Sequence, residues 1–584
     1  MQGFTIIKLK SRLQKTVCLL SLVLSCWHPG FTQDSLQNFK ESLYLQTDRD
    51  IYVVGEHVWM KVFKLDARDN KPVNFSKTVY VELLNQAGNP VKQIKLHVPD
   101  KSGSASFRLS DTLSSGNYLL RAYTSWMKNY PTNDFSFRTI SLVNPFRNMA
   151  RLGIQNSKPV TEDRDTHTLV RSDKGLLLDV DFDTTGYGMR EKVKINVQVK
   201  DSSDNPVEAD LSVSIARSCL FNDHRANFSY LVQASRKEEP GPIKYLPELE
   251  GVVLSGTMLN SFTDEPIDNE NIILSIVGKP ARCQVFKTSD RGEFYFNLED
   301  PGVHEIVIQP VDSALSDYYI ELDPDFHNSY DHPLPGHFYL DTAKLQALNQ
   351  AIISMQIENV YKAYQDRHHA ETLDTLQIDF YGEPEYCIQI SDYIRLKNIR
   401  EVIKEIVPTV SVRVKDGKTF LKVENWVDNL VFNNKPLVLV DGVPFNEIDQ
   451  ILNIRLTELE RIEVINLRYF LDGHMFEGIV HFVTKEGKMA GLEFDYAIFR
   501  QAYASYSGES SFSKPLYNSD SLKSSPVPDF RSTLYWNPNL HTMEDGSTAF
   551  EFYTADESGD YVVFIEGISP EGKSGFIYKN LLVQ

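Results

Sequence analysis

Cysteine is scarce in this sequence, and so are long apolar runs. Only five cysteines occur among 584 residues, too few and too scattered for a framework of disulfide bonds. Cys219, Cys283 and Cys387 lie far apart in the chain, and we expect them to be buried, unreactive core thiols. Beyond the N-terminal segment, no stretch approaches the roughly 20 apolar residues that a membrane-spanning helix needs.

Positive charge is in deficit as well. The chain has 60 Lys and Arg residues against 79 Asp and Glu residues, a net charge of −19. A surface of this sign is repelled by nucleic-acid phosphates and by anionic membranes. The acidic residues are spread along the chain, as on a solvated surface. We therefore expect no nucleic-acid partner.

The familiar catalytic signatures are missing too. The sequence has no nucleophile elbow G-x-S-x-G, no zinc pair H-E-x-x-H, no C-x-x-C pair and no dinucleotide fingerprint. Residues 567–574 do fit the P-loop expression, but a strand-like segment follows where a phosphate-binding helix should begin. We interpret them as a hairpin loop. The sequence thus predicts a protein that is not an enzyme, with no catalytic residue and no cofactor.

Metal-ligand residue types occur in two stretches. Residues 181–186 resemble a calcium loop, but Lys192 stands where the last acidic ligand should be. A second stretch has acids and histidines at irregular spacing between prolines, which predicts a polar linker, and we interpret a later His-His pair in the same way. These residues are Asp323, Asp325, His327, Asp331, His332, His337, His368 and His369. No metal site is predicted.

The N-terminus has the layout of a secretory signal. Basic residues between Lys8 and Lys15 precede an apolar run from Val17 to Trp27, and this run is too short to span a bilayer. We predict a signal peptide over residues 1–32. The alternative is a lipid anchor on Cys26. The chain is exported in either case.

Alternating polar and apolar residues predict strands over most of the chain. In one such strand Phe294, Phe296 and Leu298 point to one face, and the residues between them point to the other. Many short strands of this kind predict a mainly β protein, a multi-domain string of antiparallel β-sandwiches. We expect one long helix between Asp341 and Arg367, with Asp341 as its N-cap, packed as a strut between sandwiches.

A glycine-led pair of strands occurs three times, within residues 103–123, 292–308 and 546–567. In each repeat a turn glycine leads to an alternating strand, a polar loop and a second strand that opens after another glycine. We interpret each repeat as a β-hairpin.

The first repeat belongs to a segment that opens with YLQTDRDIYVVGEHVWMKVF at residues 44–63. This segment resembles the second macroglobulin-type domain of the alpha-macroglobulin and complement superfamily, which implies a β-sandwich over 40–147. Residues 186–216 look like a further module of this kind, which implies a second sandwich over 170–245. The thioester sequence Cys-Gly-Glu-Gln of the trapping macroglobulins is absent, so covalent capture by that route is excluded.

Two more resemblances cover the middle of the chain. Gly256, residues 265–267 and residues 290–294 resemble the carboxypeptidase-regulatory-like fold, which implies a transthyretin-like sandwich over 249–312 without catalytic residues. A linker and helix over 313–375 follow.

Residues 376–490 carry KPLVLVDGVPF, LERIEVINLRYF and EGIVHFVTKEG in this order. They resemble the plug domain of TonB-dependent outer-membrane receptors, an α+β fold. Roughly 100 residues remain after it, too few for the strands of a receptor barrel. We assign residues 491–584 to a C-terminal β-sandwich.

Taken together, these resemblances predict a non-enzymatic cell-envelope scaffold or binding protein that recognises other proteins or glycans. We expect it in the periplasm or associated with the outer membrane, held there only by a partner or by a lipid on Cys26. One alternative is an accessory component of a TonB-dependent uptake system. Another is a macroglobulin-like peptidase inhibitor without a thioester.

Overall fold

The structure is a computed structural model. It describes residues 39–147, 153–155, 170–171, 175–221, 243–312, 314–328, 334–336, 338–341, 344–365, 378–392, 396–425, 430–432, 434–508 and 511–584. The predicted signal peptide and Cys26 lie outside these residues. Strands dominate the described part, which has four α-helices, and the predicted mainly β class is confirmed. No described helix is long and apolar enough to cross a membrane.

The first sandwich packs a sheet of order β1-β3-β6 against a sheet of order β2-β8-β7-β4-β5. Alternate residues of β3, among them Val58, Met60 and Val62, lie in its core, as the period of two requires. Its strands are β1 (Glu41–Thr47), β2 (Ile51–Val53), β3 (His57–Asp66), β4 (Thr78–Leu84), β5 (Pro90–His97), β6 (Ser102–Arg108), β7 (Gly116–Tyr123) and β8 (Ser136–Val143).

Five strands follow the first sandwich along the chain. In the fourth of them Val193, Ile195 and Val197 are buried while Lys194 and Asn196 between them are exposed. One face of this strand is therefore exposed to solvent. The strands are β9 (Gly153–Gln155), β10 (Val170–Arg171), β11 (Leu177–Phe182), β12 (Lys192–Lys200) and β13 (Asp210–Arg217).

The central sandwich comes next. Phe294, Phe296 and Leu298 of its fourth strand are buried in the core, and the predicted alternation is confirmed. One sheet has the order β17-β14-β19, and the other contains β16-β15-β18. The strands are β14 (Val252–Asn260), β15 (Asn271–Ile276), β16 (Arg282–Lys287), β17 (Glu293–Leu298), β18 (Val303–Pro310) and β19 (Tyr318–Leu322).

A long helix, α1 (Leu345–Gln365), follows the short strand β20 (Tyr339–Asp341). The helix is confirmed, but Asp341 is not its N-cap because it pairs with Gln155 of β9 in a parallel ladder. Leu348, Ala351 and Met355 of α1 share an apolar cluster with strand β2 and with Leu220, which follows β13. The helix therefore packs as a strut, as expected.

An α+β unit occupies residues 378–498. Its main sheet has the order β21-β27-β28-β25-β26, with β25 parallel to β28. The other strands form a small sheet of order β22-β23-β24. Its elements are β21 (Tyr386–Gln389), α2 (Ile399–Glu405), β22 (Val410–Lys415), β23 (Lys418–Asn425), β24 (Leu430–Val431), β25 (Leu437–Val440), β26 (Val443–Pro444), α3 (Ile448–Leu452), β27 (Leu459–Leu471) and β28 (His474–Thr484).

The last part of the chain does not form a sandwich of its own. Its elements are β29 (Phe499–Ala504), α4 (Asp520–Lys523), β30 (Thr533–His541), β31 (Ser547–Tyr553), β32 (Gly559–Ile568) and β33 (Ser574–Val583). Strand β29 joins β18 of the central sandwich. The other four strands complete the sheets β10-β33-β32-β13-β30 and β11-β12-β31.

The two segments that we expected to form separate sandwiches, 170–245 and 491–584, thus share one. We call it the split sandwich. A single core joins side chains from both segments, such as Val213 and Val563. The central sandwich and the α+β unit are inserted between its halves.

The glycine-led repeats are not hairpins. In each repeat the two strands belong to opposite sheets of one sandwich: β6 and β7, β17 and β18, β31 and β32. The second glycine of each repeat, at 116, 302 and 559, has φ between +115° and +155°, where a side chain is strained. This glycine turns the chain from one sheet to the other.

Candidate functional site

The first sandwich packs against the split sandwich through polar side chains. The outer face of the sheet β1-β3-β6 meets the sheet that contains β13, β30 and β32. Several hydrogen bonds cross this contact. Among them, Tyr44 Oη donates to Glu566 Oε2 at 2.7 Å, Lys61 Nζ to Asp210 Oδ1 at 2.5 Å, and Thr533 Oγ1 to Asp48 Oδ2 at 2.7 Å. Tyr44, Asp48 and Lys61 all belong to the sequence motif at residues 44–63.

These groups have little access to water. Burial raises the pKa of Glu566 to about 7, against the opposing charge of Arg138. Burial also lowers the pKa of Lys61, although Asp210 counteracts this effect. Buried polar groups are tolerated only where they are paired. The motif therefore fixes how the two sandwiches sit against each other.

A groove of about 960 Å³ lies beside this interface. Its aromatic lining comes from Trp59 and Phe63 of β3, Trp536 of β30 and Phe512 of the preceding linker. Polar groups of both charge signs complete the lining, with Glu208 and Lys514 among them. A large concave site with aromatic walls and a few polar groups is the usual form of a ligand site.

Two strand edges border the groove. Strand β6 contributes the consecutive residues 102–105, and β30 contributes residues 536–539. Successive side chains of a strand point to opposite faces, so a cavity that touches four consecutive residues meets the strand at its edge. Both strands are the outermost strands of their sheets. Within the described part of the chain no further strand pairs with either of them, so the groove borders two outer sheet edges.

The linker between β29 and β30 runs along the same groove. Ser507 donates its backbone N–H to the Lys95 carbonyl of β5 at 2.8 Å. Further on, the Phe512 ring packs edge-on against Trp59, with the ring centroids 5.3 Å apart. The described residues of this linker thus already lie against one wall of the groove.

Comparison with known proteins bears on the first sandwich. The model of the MG2 domain family matches residues 42–138. The first sandwich is therefore macroglobulin-like, and we call it the macroglobulin-type domain. No curated protein sequence matches the chain.

Several solved macroglobulin structures resemble the chain weakly. An Escherichia coli alpha-2-macroglobulin activated by porcine elastase is 10% identical, with 93% of this chain and 44% of that chain covered and a TM-score of 0.24. The native conformation of the Escherichia coli protein is also 10% identical, with 94% of this chain and 40% of that chain covered and a TM-score of 0.24. A Salmonella alpha-2-macroglobulin reacted with methylamine is 9% identical, with 93% of this chain and 39% of that chain covered and a TM-score of 0.22. The chain spans less than half the length of these proteins, and likeness of this degree says nothing about activity.

The P-loop-like residues form the hairpin between β32 and β33, as predicted. Ser569 N–H donates to the Lys573 carbonyl at 2.8 Å. A Cβ at Gly572 would lie 2.7 Å from the Asp69 carbonyl oxygen of the macroglobulin-type domain. The glycine thus allows close docking of this hairpin, and Ser569 contributes to the groove wall.

The structure describes parts of the two stretches that contain metal-ligand residue types. In the calcium-like loop the Asp183 carboxylate accepts a hydrogen bond from Tyr187. Asp325 is more than a linker residue, since it accepts from Tyr503 at 2.7 Å and pairs with Lys95 at 2.7 Å. It joins the macroglobulin-type domain to the central sandwich. Four histidines and one acid of this set lie outside the described residues: Asp331, His332, His337, His368 and His369.

The three cysteines are free, but they are not all buried. Cys283 is buried, and burial raises its pKa far above the usual value. Cys219 is partly buried, and burial raises its pKa too. Cys387 is exposed, so the expectation of a core thiol is wrong there, because this edge strand presents alternate residues to solvent.

One group of potential metal ligands occurs among the described residues: Asp379, Glu463 and His481, whose ligand atoms lie within 4.8 Å of one another. The Gly442 N–H donates to His481 Nε2 at 3.0 Å, and Tyr381 Oη lies 2.6 Å from Nδ1. Both ring nitrogens are therefore occupied.

The Glu463 carboxylate of this group is also fully hydrogen-bonded. Burial would raise the pKa of Glu463, but hydrogen bonds from neighbouring groups, with those of His481, Arg461 and Tyr381 foremost, hold it at about 2. Glu463, Tyr381 and His481 thus satisfy one another's hydrogen bonds. We interpret them as a structural network that ties β27 and β28 to the segment before β21.

Sequence reasoning missed the groove. Its wall residues come from segments near positions 60, 100, 209, 510, 540 and 569, and no local pattern brings them together. The available signal was compositional, since the groove uses two of the five tryptophans of the chain.

Proposed function

We propose that the chain is a non-enzymatic binding protein of the cell envelope. In this proposal the groove between the macroglobulin-type domain and the split sandwich receives part of another macromolecule, a protein or a glycan. The groove itself is the observation that carries the proposal. The signal-like N-terminus supports export to the periplasm or the outer membrane.

The rigidity of the groove walls supports a binding role. Each wall belongs to a different sandwich, and the buried bonds of Lys61 and Tyr44 hold the two sandwiches together. A site that is already formed before binding loses little conformational entropy when the ligand arrives. Half-buried aromatic side chains such as Trp59 supply the apolar contact area that interfaces favour.

Affinity isolation from native envelopes tests this function. We expect the wild-type chain to retain a specific envelope component, and the Trp59→Ala variant to lose it, because truncation of a central aromatic costs about 2 kcal/mol or more. Quantitative mass spectrometry of the bound fraction provides the measurement.

A matched control is Phe262→Ala, which removes an aromatic side chain that is 80% exposed on the central sandwich, outside the groove lining. This variant should bind like the wild type. Equal capture by wild type and Trp59→Ala would contradict the proposal. The two alternative functions, peptidase inhibition and accessory work in uptake, stay predictions.

A further inference from the structure

We propose that the ligand of the groove is an extended polypeptide segment, which adds as a strand to the outer edge of β6 at Ser102 and Ser104. This inference rests on the proposed function and names the chemical class of its ligand. Strand addition uses main-chain hydrogen bonds for affinity and side-chain contacts for specificity.

The register of β3 and β6 shows which peptide groups are available. Lys64 N–H donates to the Lys101 carbonyl at 2.8 Å, and Leu109 N–H donates to the Glu56 carbonyl at 2.9 Å. Hydrogen-bonded and non-bonded pairs alternate along an antiparallel ladder. The even-numbered residues of β3 therefore hold the hydrogen bonds to β6.

Ser102 and Ser104 stand opposite the odd-numbered residues Phe63 and Lys61. Their peptide N–H and C=O groups consequently point away from β3, at the edge that borders the groove. Two outward-facing residues, two positions apart, offer donors and acceptors in the order that an added strand requires.

This edge also lacks the charged residues and prolines that usually protect an edge strand. Residues 102–106 are Ser, Gly, Ser, Ala and Ser, with neither a charge nor a proline among them. Across the groove, β30 has such a protective residue, Pro538. Strand β6 is therefore the accessible edge of the pair.

The chain itself shows that neighbouring edges hold extended backbone. Strand β29 adds antiparallel to β18 of the central sandwich. A few residues later, Ser507 donates to Lys95 of the edge strand β5 and the chain enters the groove. Polypeptide backbone is thus the chemistry that these edges already bind. A glycan has no regular series of N–H donors to match Ser102 and Ser104.

Aromatic contacts would select among polypeptides. Trp59 stands opposite Ser106, so its side chain shares a face of the sheet with those of Ser104 and Ser106. Alternate side chains of an added strand would project from the same face toward this indole. We expect an apolar or aromatic residue at that position of the ligand.

The test starts from decapeptides selected on the full chain from a random library. The best peptide is titrated against the wild type and two variants by fluorescence anisotropy. Ser104→Pro removes an outward N–H, and we expect at least about tenfold weaker binding. Ser104→Ala changes the side chain but keeps the peptide group, and it should bind like the wild type.

Two measurements remain valid even if the proline variant fails to fold. The same peptide, N-methylated at alternate residues, should bind the wild-type chain at least about tenfold more weakly. Amide hydrogen exchange of the segment 102–106 in the wild type should slow when the unmodified peptide is added. Equal binding of the methylated peptide, or unchanged exchange, would overturn strand addition.

A panel of hexasaccharides separates this inference from the proposed function. If no peptide is selected while a hexasaccharide binds and Trp59→Ala abolishes that binding, strand addition is wrong and the binding role stands. If neither class of ligand binds in a manner that depends on Trp59, both proposals fail.

Discussion

Lys61 is a fully buried lysine whose charge is balanced across a domain interface. Its ammonium group contacts Asp210 at 2.5 Å and also donates to the Leu211 carbonyl at 3.2 Å. A buried pair of this kind contributes little net stability, yet removal of one partner leaves the other charge buried and unpaired. Lys61 and Asp210 are therefore better replaced together than singly.

We predict that Asp210→Ala destabilises the docked sandwiches by about 3 kcal/mol or more, because the Lys61 ammonium loses its counter-charge in a buried site. Urea unfolding followed by tryptophan fluorescence measures this, since Trp59 and Trp536 both line the adjacent groove. The double variant Lys61→Met with Asp210→Ala should recover much of the loss. A single variant as stable as the wild type would show that the pair is not buried in solution.

At the scale of elements, helix α2 depends on its first turn. Asn398 accepts a hydrogen bond from the Glu401 N–H at 2.9 Å, and the Glu401 carboxylate in turn accepts from the Lys397 N–H at 2.7 Å. Such reciprocal capping satisfies backbone donors that a short helix cannot pair internally. The cap lets α2 place Ile399, Val402 and Ile403 in the core of the α+β unit.

We predict that Asn398→Ala destabilises α2 by about 1 kcal/mol, the usual cost of a lost N-cap. Amide hydrogen exchange of residues 399–405 should accelerate in this variant. Asn398→Asp keeps a side-chain acceptor at the same position and should exchange like the wild type. Identical exchange in the alanine variant would mean that packing alone holds the helix.

At the scale of the whole molecule, the macroglobulin-type domain lies between two neighbours and meets each of them through a buried glutamate. Glu566 of the split sandwich accepts a hydrogen bond from Tyr44, and Glu248, before the central sandwich, accepts one from Tyr80 at 2.8 Å. Burial raises the pKa of both carboxyls to about 7. The stability of both contacts should therefore depend on whether these glutamates are protonated.

Proton linkage gives the direction in which folding stability changes with pH. Between the ordinary pKa of 4.5 and about 7, the unfolded chain has released these protons while the folded chain keeps them, so stability falls as pH rises. This contribution is fully present below pH 4.5 and is lost as the pH passes about 7.

We predict that the urea midpoint of the wild type falls more steeply between pH 4.5 and pH 8 than that of a Glu248→Gln, Glu566→Gln double variant. Glutamine keeps the shape and does not titrate, so the comparison cancels the histidines and all other titrating groups. Parallel pH profiles for the two proteins would contradict the assigned pKa values.

Local patterns in the sequence determined the strands and their faces. Period-two alternation depends on each residue's own burial, so it predicted the buried face of Phe294, Phe296 and Leu298 and the mainly β class without knowledge of pairing. The motif at residues 44–63 likewise predicted the macroglobulin-type domain. The glycine-led repeats mark equivalent places in three sandwiches, although they are not the hairpins that their pattern predicts.

Only the tertiary structure decided which strands pair. Every strand offers the same peptide groups at its edges, so its partner depends on packing of the whole chain rather than on its own residues. For this reason residues 210–217 pair with residues 533–541 and 559–568 across an inserted sandwich and an α+β unit. The groove exists because that long-range pairing places the edge of β30 beside the edge of β6.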